Sequence, residues 1–157
     1  MNKTDITLKY ALNNGYDSAA ECLFHLNNPH LQSTSEPYKA TFYDASGSPF
    51  KAYPDFYDSD RKLIIEYKAH QLNTCETKAI SFEKLEEVQQ FKGKLTFFDK
   101  LKYGWNHSIY KQAKVQSSLK SLGFDMVVVF ADGTKLTKQS INKMEKAGLH
   151  WVWERDL

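Results

Sequence analysis

Apolar positions along this chain change their period several times, and each change predicts an element. Ile6, Leu8, Tyr10 and Leu12 supply the apolar side of a helix over residues 5–12. Asn13-Asn14-Gly15 stops it, because asparagine and glycine tolerate the left-handed backbone of a helix end. Asp17 or Ser18 is placed to cap a second helix running through Leu26, and Asn27-Asn28-Pro29 ends that one. The pattern then turns aromatic and β-branched. Residues 38–43, 50–57 and 62–68 read as three short strands, separated by the turn-forming stretches 44–49 and 58–60. Three such strands joined by tight turns predict an antiparallel meander.

The helical period returns in the middle of the chain. Phe82, Leu85, Val88 and Phe91 recur at intervals of three over residues 81–91, and a basic, aromatic connector follows over 93–104. Asn106 or Ser108 opens a helix through Leu122 whose apolar side is Ile109, Ala113, Val115, Leu119 and Leu122, with Gly123 as its stop. Residues 124–130 are apolar on both faces and predict a strand in the interior of a sheet. After the Asp132-Gly133 turn come a short helix over 138–147 and a last strand over 149–153. Helix, three strands, helix, strand is an α/β arrangement: a mixed β-sheet flanked by helices.

Composition adds bounds. A chain of 157 residues is long enough for one domain with a full core. Apolar and charged fractions of 41% and 25% are those of an ordinary globular protein. The net charge of +2 does not by itself imply a nucleic-acid partner. Cys22 and Cys75 lack metal-ligand spacing and read as reduced thiols. No apolar run approaches the roughly 20 residues of a membrane span. The N-terminus lacks the apolar centre of a signal peptide, so a cytoplasmic location with no membrane partner is expected.

The candidate chemistry lies in Tyr53-Pro54-Asp55-Phe56-Tyr57 and Leu63-Ile64-Ile65-Glu66-Tyr67-Lys68. Glu66 and Lys68 are two apart on a predicted strand and share a face. Asp55 lies on the neighbouring strand, within reach of Glu66 if the meander forms. Pro54 suits a strand edge or a bulge, where a side chain is re-aimed. Two carboxylates and an ammonium at a sheet end suit phosphodiester hydrolysis. Mg²⁺ wants oxygen ligands, which Asp55, Glu66 and the backbone carbonyl of Tyr67 supply. Such an ion lowers the pKa of a bound water, and Lys68 positions that water or stabilises the charge building in the transition state. The same spacing is also common in plain cross-strand ion pairs. Position favours chemistry here: the charges emerge directly after Leu63-Ile64-Ile65, and a helix-borne carboxylate stands upstream.

Pro54-Asp55, a ten-residue interval and Glu66-Tyr67-Lys68 resemble the PD-(D/E)XK nuclease superfamily, which includes restriction endonucleases, phage resolvases and repair nucleases. The resemblance covers about residues 17–130 and is specific only at the Asp, Glu and Lys. The Tyr53-Pro54-Asp55-Phe56 string is similar to phage Holliday-junction resolvases. The resemblance implies a restriction-endonuclease-like core in a single domain over residues 1–157, with residues 137–153 added to it. It also implies a Mg²⁺-dependent DNA endonuclease, with Mn²⁺ as a substitute ion and a phage or mobile-element origin. Many members carry a further acid on the first core helix facing the metals, and Glu21 is its counterpart. In one branch a Gln and a Tyr on the helix after the Lys strand assist the site. Gln112 and Gln116 are the analogues, although Tyr110-Lys111-Gln112 departs from that branch's order.

Charge is unevenly distributed. Between residues 92 and 120 stand seven lysines and one acid, Asp99, interleaved with Phe97, Phe98, Tyr103, Trp105 and Tyr110. Lysines neutralise phosphates and aromatics stack on unpaired bases. Lys100, Lys102, Lys111 and Lys114, with Gln112, are therefore the expected nucleic-acid contacts. His70 reads as a strand cap, and Trp151-Val152-Trp153 as core or dimer contact. Three readings compete: a DNA endonuclease, a catalytically silent nuclease fold that binds DNA or a protein, and an unrelated α/β protein with a chance motif. One small domain carries one site, so a double-strand cut needs a homodimer, two sequential nicks or a partner protein that directs it.

Overall fold

The computed structural model describes residues 6–33, 40–43, 49–52, 54–74 and 107–157, with the backbone alone described for 40–43 and 49–52. The helix expected over 81–91, the basic connector, Cys75, Lys100 and Lys102 lie outside the described residues.

Helix α1 (Leu8–Asn13) begins three residues later than its apolar pattern suggests. Thr7 is extended there, and its hydroxyl accepts from the Tyr10 N–H at 3.0 Å, which fixes the start. Gly15, with φ of 85°, carries the chain out of the helix in a conformation that favours glycine. Ser18, of the two candidates, caps α2 (Ala19–Asn27) through a bond from the Glu21 N–H.

The strands are β1 (Gln32–Ser33), β2 (Ala40–Tyr43), β3 (Pro49–Ala52), β4 (Phe56–Asp58), β5 (Leu63–Lys68), β6 (Asp125–Phe130) and β7 (Trp151–Trp153). Helix α3 (Ile109–Ser121) precedes β6, and α4 (Lys138–Lys146) joins β6 to β7. Five strands form a mixed sheet in the order β1-β4-β5-β6-β7; β2 and β3 form a separate hairpin. The β1–β4 and β4–β5 pairs are antiparallel, and β5–β6 and β6–β7 are parallel. With four helices among the described residues, this is the expected α/β class.

The meander differs from its sequence pattern. The stretch 50–57, expected as one strand, contributes β3 to the hairpin and β4 to the main sheet. Proline at 54 has no N–H for a ladder, and Asp55 bends, so pairing does not run through them. The first strand of the meander is the two-residue β1, with the β2–β3 hairpin inserted between it and β4.

Alternation along the strands divides the core. Ile64, Met126, Val128 and Phe130 face α3 and α4, meeting Ile109, Val115, Leu119 and Met144. Ile65, Tyr67, Val127 and Val129 face the other way, against Phe24 of α2 and Phe56. β6 is buried at every residue after Asp125, as its two-faced apolar pattern requires of a strand between two neighbours. Trp151 and Trp153, both partly buried, pack against the core at Phe130, with ring centroids 5.6 and 6.4 Å away. No helix among the described residues is long and apolar enough to cross a membrane.

The loops bring helix starts to one end of the sheet. Asn73, five residues past β5, exchanges backbone bonds with His107 and Ile109 at the start of α3. The Thr137 N–H at the start of α4 donates to Gln71 Oε1. Strand carboxyl ends and helix N-termini thus meet where open α/β sheets bind ligands.

Candidate active site

The site begins where the β4–β5 ladder stops. Phe56 pairs with Ile65, so one further step brings Asp55 beside Glu66 and Pro54 beside Tyr67. Pro54 cannot donate to the Tyr67 carbonyl. Asp55 turns its carboxylate in, and Oδ2 accepts the Tyr67 N–H at 2.8 Å. The Lys68 carbonyl points to the opposite edge, where it accepts from the Ala131 N–H. By strand alternation the Tyr67 carbonyl faces the Asp55 side. Proline before the aspartate thus removes the donor that would otherwise meet that oxygen.

Glu66 and Lys68 emerge on the α3 face of β5. Lys68 Nζ lies 3.2 Å from Glu66 Oε1, with the side chains only 13% and 12% exposed. Burial pulls the Lys68 pKa down, but Glu66, Asp55 and Glu21 more than offset it, so it stands above the ordinary value. Lys111 joins from α3. On that helix Gln116 reaches toward β7, its amide donating to the Met126 and His150 carbonyls and accepting from the His150 N–H. Lys111 comes off the other flank, roughly 140° around the helix, toward β5. Burial pushes its pKa down to about 8, Lys68 adds to this and Glu66 opposes it. His107 is held neutral, its pKa pulled down to about 3 by burial first and then by Lys68, His70 and Lys111. Its ring meets that of His70 edge-on at 5.8 Å.

On the other side stands an acidic cluster. Asp17, Glu21 and Asp55 each offer a carboxylate oxygen, all within 4.8 Å of one another. Glu21 is held by the first turn of α2, where its own carboxylate accepts the Asp17 N–H at 3.3 Å. Its pKa is raised to about 8, chiefly by burial and then by repulsion from Asp17 and Glu66. Asp55 stands well above the usual carboxylate range for the same reason: burial first, then Glu66 and Glu21, against the milder help of Lys68 and the Tyr67 N–H. Lys68 offsets only part of the repulsion among these carboxylates. A hard divalent cation with oxygen ligands fits this donor set, and the Tyr67 carbonyl adds an uncharged oxygen on the same side.

The fold therefore brings together Asp55, Glu66, Lys68 and Glu21. Glu66 stands apart from the tight acidic group, turned to Lys68, although its charge acts on both Asp55 and Glu21. Asp17 enters the cluster although its sequence context suggested only a helix cap; its four-residue separation from Glu21 at a helix start was the legible signal. Lys111 lies half-buried beside the site and Lys114 is exposed. Gln112, expected against nucleic acid, is instead buried at 5% exposure, and its Oε1 meets no hydrogen-bond partner among the described residues. Gln116 bridges β6 and the residue before β7. Comparison with protein-family models, with curated proteins and with solved structures gave no match.

Proposed function

We propose that this chain is a divalent-metal-dependent nuclease that hydrolyses phosphodiester bonds in DNA, with the chemistry of the PD-(D/E)XK nucleases. One observation carries the reading. Three clustered carboxylates and the Glu66–Lys68 pair converge at an open sheet end, around Asp55.

Asp55, Glu21 and Asp17, with Glu66 and the Tyr67 carbonyl, would hold Mg²⁺ or Mn²⁺. When bound, the ion would supply Lewis acidity toward the phosphate and lower the pKa of a water. The protein does the rest. Asp55 is held by the Tyr67 N–H, so its free oxygen has a fixed direction. Lys68 stays protonated because three carboxylates surround it, and it presents its N–H groups to the negative charge that develops on the reacting phosphate. Glu66 keeps the Lys68 stem in one rotamer. Lys111 adds a second cation on the α3 side, suited to a non-bridging phosphate oxygen. DNA as the polymer comes from the resemblance in the sequence.

The test is cleavage of supercoiled plasmid, branched, duplex and single-stranded DNA, and RNA, with Mg²⁺ and with EDTA. Metal-dependent cutting by the wild type, lost in Asp55→Ala, supports the reading. Identical behaviour of the two proteins on every substrate overturns it and leaves a silent binding module or an unrelated α/β protein with a chance motif.

A further inference from the structure

Away from the carboxylates, a groove of about 710 Å³ opens between α3 and α4. Tyr110 forms one wall, and Gln139, Asn142, Lys143 and Lys146 form the other. Tyr110 precedes Lys111 on α3, so these neighbours leave the helix on different flanks: Lys111 toward β5, Tyr110 toward α4. The groove therefore begins on a flank of the α3 N-terminus adjoining the one that carries Lys111.

Its surroundings are strongly basic. Helices α3 and α4, which cover one face of the sheet, carry six lysines (111, 114, 120, 138, 143 and 146) and a single acid, Glu145. The sequence pattern had drawn attention only to the lysines up to Lys120. The opposite face, around α2, holds Asp17 and Glu21. A polyanion meets attraction on the α3–α4 layer. The wall chemistry narrows its kind. Lysines serve phosphates, whereas a phenol ring and two primary amides at Gln139 and Asn142 suit the face and edge of an unpaired base. A paired base would keep its face within the stack.

We propose that the α3–α4 groove is a binding site for a single strand of nucleic acid, with Lys143 and Lys146 on its phosphates and Tyr110 against a base. The inference rests on the nuclease reading for its ligand class, and it adds a substrate preference: DNA with an unpaired strand beside the cut.

The experiment is fluorescence anisotropy with the full chain, EDTA present, across a KCl series. The probes are a labelled 20-nucleotide single strand and the corresponding blunt duplex. The K143Q/K146Q double variant is expected to bind the single strand more weakly, with the slope of log affinity against log salt reduced by about 1.4, about 0.7 for each phosphate contact. Tyr110→Leu is expected to weaken it about ten-fold with the slope unchanged, because stacking releases no counterions. K143R/K146R restores binding, and unchanged circular dichroism shows that each variant is folded. Wild-type affinity and slope in the double variant, or a loss confined to the duplex, overturns the proposal. Binding is read without metal, so a chain that cuts nothing but shows these losses sinks the nuclease reading and keeps the groove. A chain that cuts normally while the variants bind normally does the reverse.

Discussion

The Tyr67 backbone N–H donates to Asp55 Oδ2 at 2.8 Å, in the place where a continuing β-ladder would supply a carbonyl. Pro54 ends the ladder, and the aspartate takes over its last bond. The same bend aims Oδ2 at the strand and brings the carboxylate into the cluster with Glu21 and Asp17. Strand termination and site construction are here one event.

Asp55→Asn separates these roles. It keeps an oxygen for the Tyr67 N–H and removes a charge that Glu66 and Glu21 repel. The metal-free protein is expected to melt higher than wild type. The rise in Tm on adding Mg²⁺ should disappear, and cleavage should fall about 1000-fold, the equivalent of about 4 kcal/mol in the barrier. Calorimetry and a plasmid assay check this; a variant that still gains stability from Mg²⁺ removes Asp55 from the ligand set.

Lys68→Met should divide binding from chemistry. The carboxylates remain, so stabilisation by Mg²⁺ persists, whereas cleavage drops about 100- to 1000-fold for want of a cation at the phosphate. Loss of both together would show that Lys68 supports the metal site rather than the reacting group.

Stability of the metal-free protein should fall as pH rises from 6.5 to 8. Glu21 binds its proton more tightly folded, near pH 8, than unfolded, near 4.5. Its contribution is therefore complete below 4.5 and lost as pH climbs through 8. His107 acts oppositely: its folded pKa of about 3 lies below 6.5, so stability rises with pH between those values and its contribution is complete and constant above 6.5. Lys111 likewise adds stability only above about 8. Between 6.5 and 8 Glu21 and the raised carboxyl of Asp55 act in the same direction. Glu21→Gln should flatten the decline, read as Tm at about 2–4 °C for each kcal/mol. A wild-type Tm that climbs across this window would contradict the raised carboxylate.

The two glutamines of α3 should behave differently. Gln116→Ala removes three bonds that tie β6 to the start of β7, and is expected to cost about 1–3 kcal/mol in a urea melt. Gln112→Leu replaces a buried amide oxygen that has no hydrogen-bond partner among the described residues. It should be neutral or stabilising, with DNA affinity unchanged; a weaker complex would return Gln112 to the nucleic-acid surface.

Local pattern carried much of this protein. The two-faced apolar run of β6, the stop at Gly123, the pairs of cap candidates that include Ser18 and Ser108 and the shared face of Glu66 and Lys68 all follow from period and backbone preference, which neighbouring residues set among themselves. Asp55 was legible as a candidate from the proline before it and its interval to Glu66, and Glu21 from the resemblance, which implies a further acid on the first core helix. Tertiary structure decided the rest. Residues 50–57 look like one strand, yet which sheet each half joins depends on distant partners, Ala40–Tyr43 for one and Leu63–Lys68 for the other. The burial of Gln112 depends on what lies against α3. Entry of Asp17 into the acidic cluster, and the raised pKa of Glu21, depend on charges brought together from α2, β5 and the bend at Asp55. Coulomb interaction acts through space and not along the chain, so spacing, position and the resemblance proposed the site, and the packing of α2 and α3 on opposite faces of β5 set its charge.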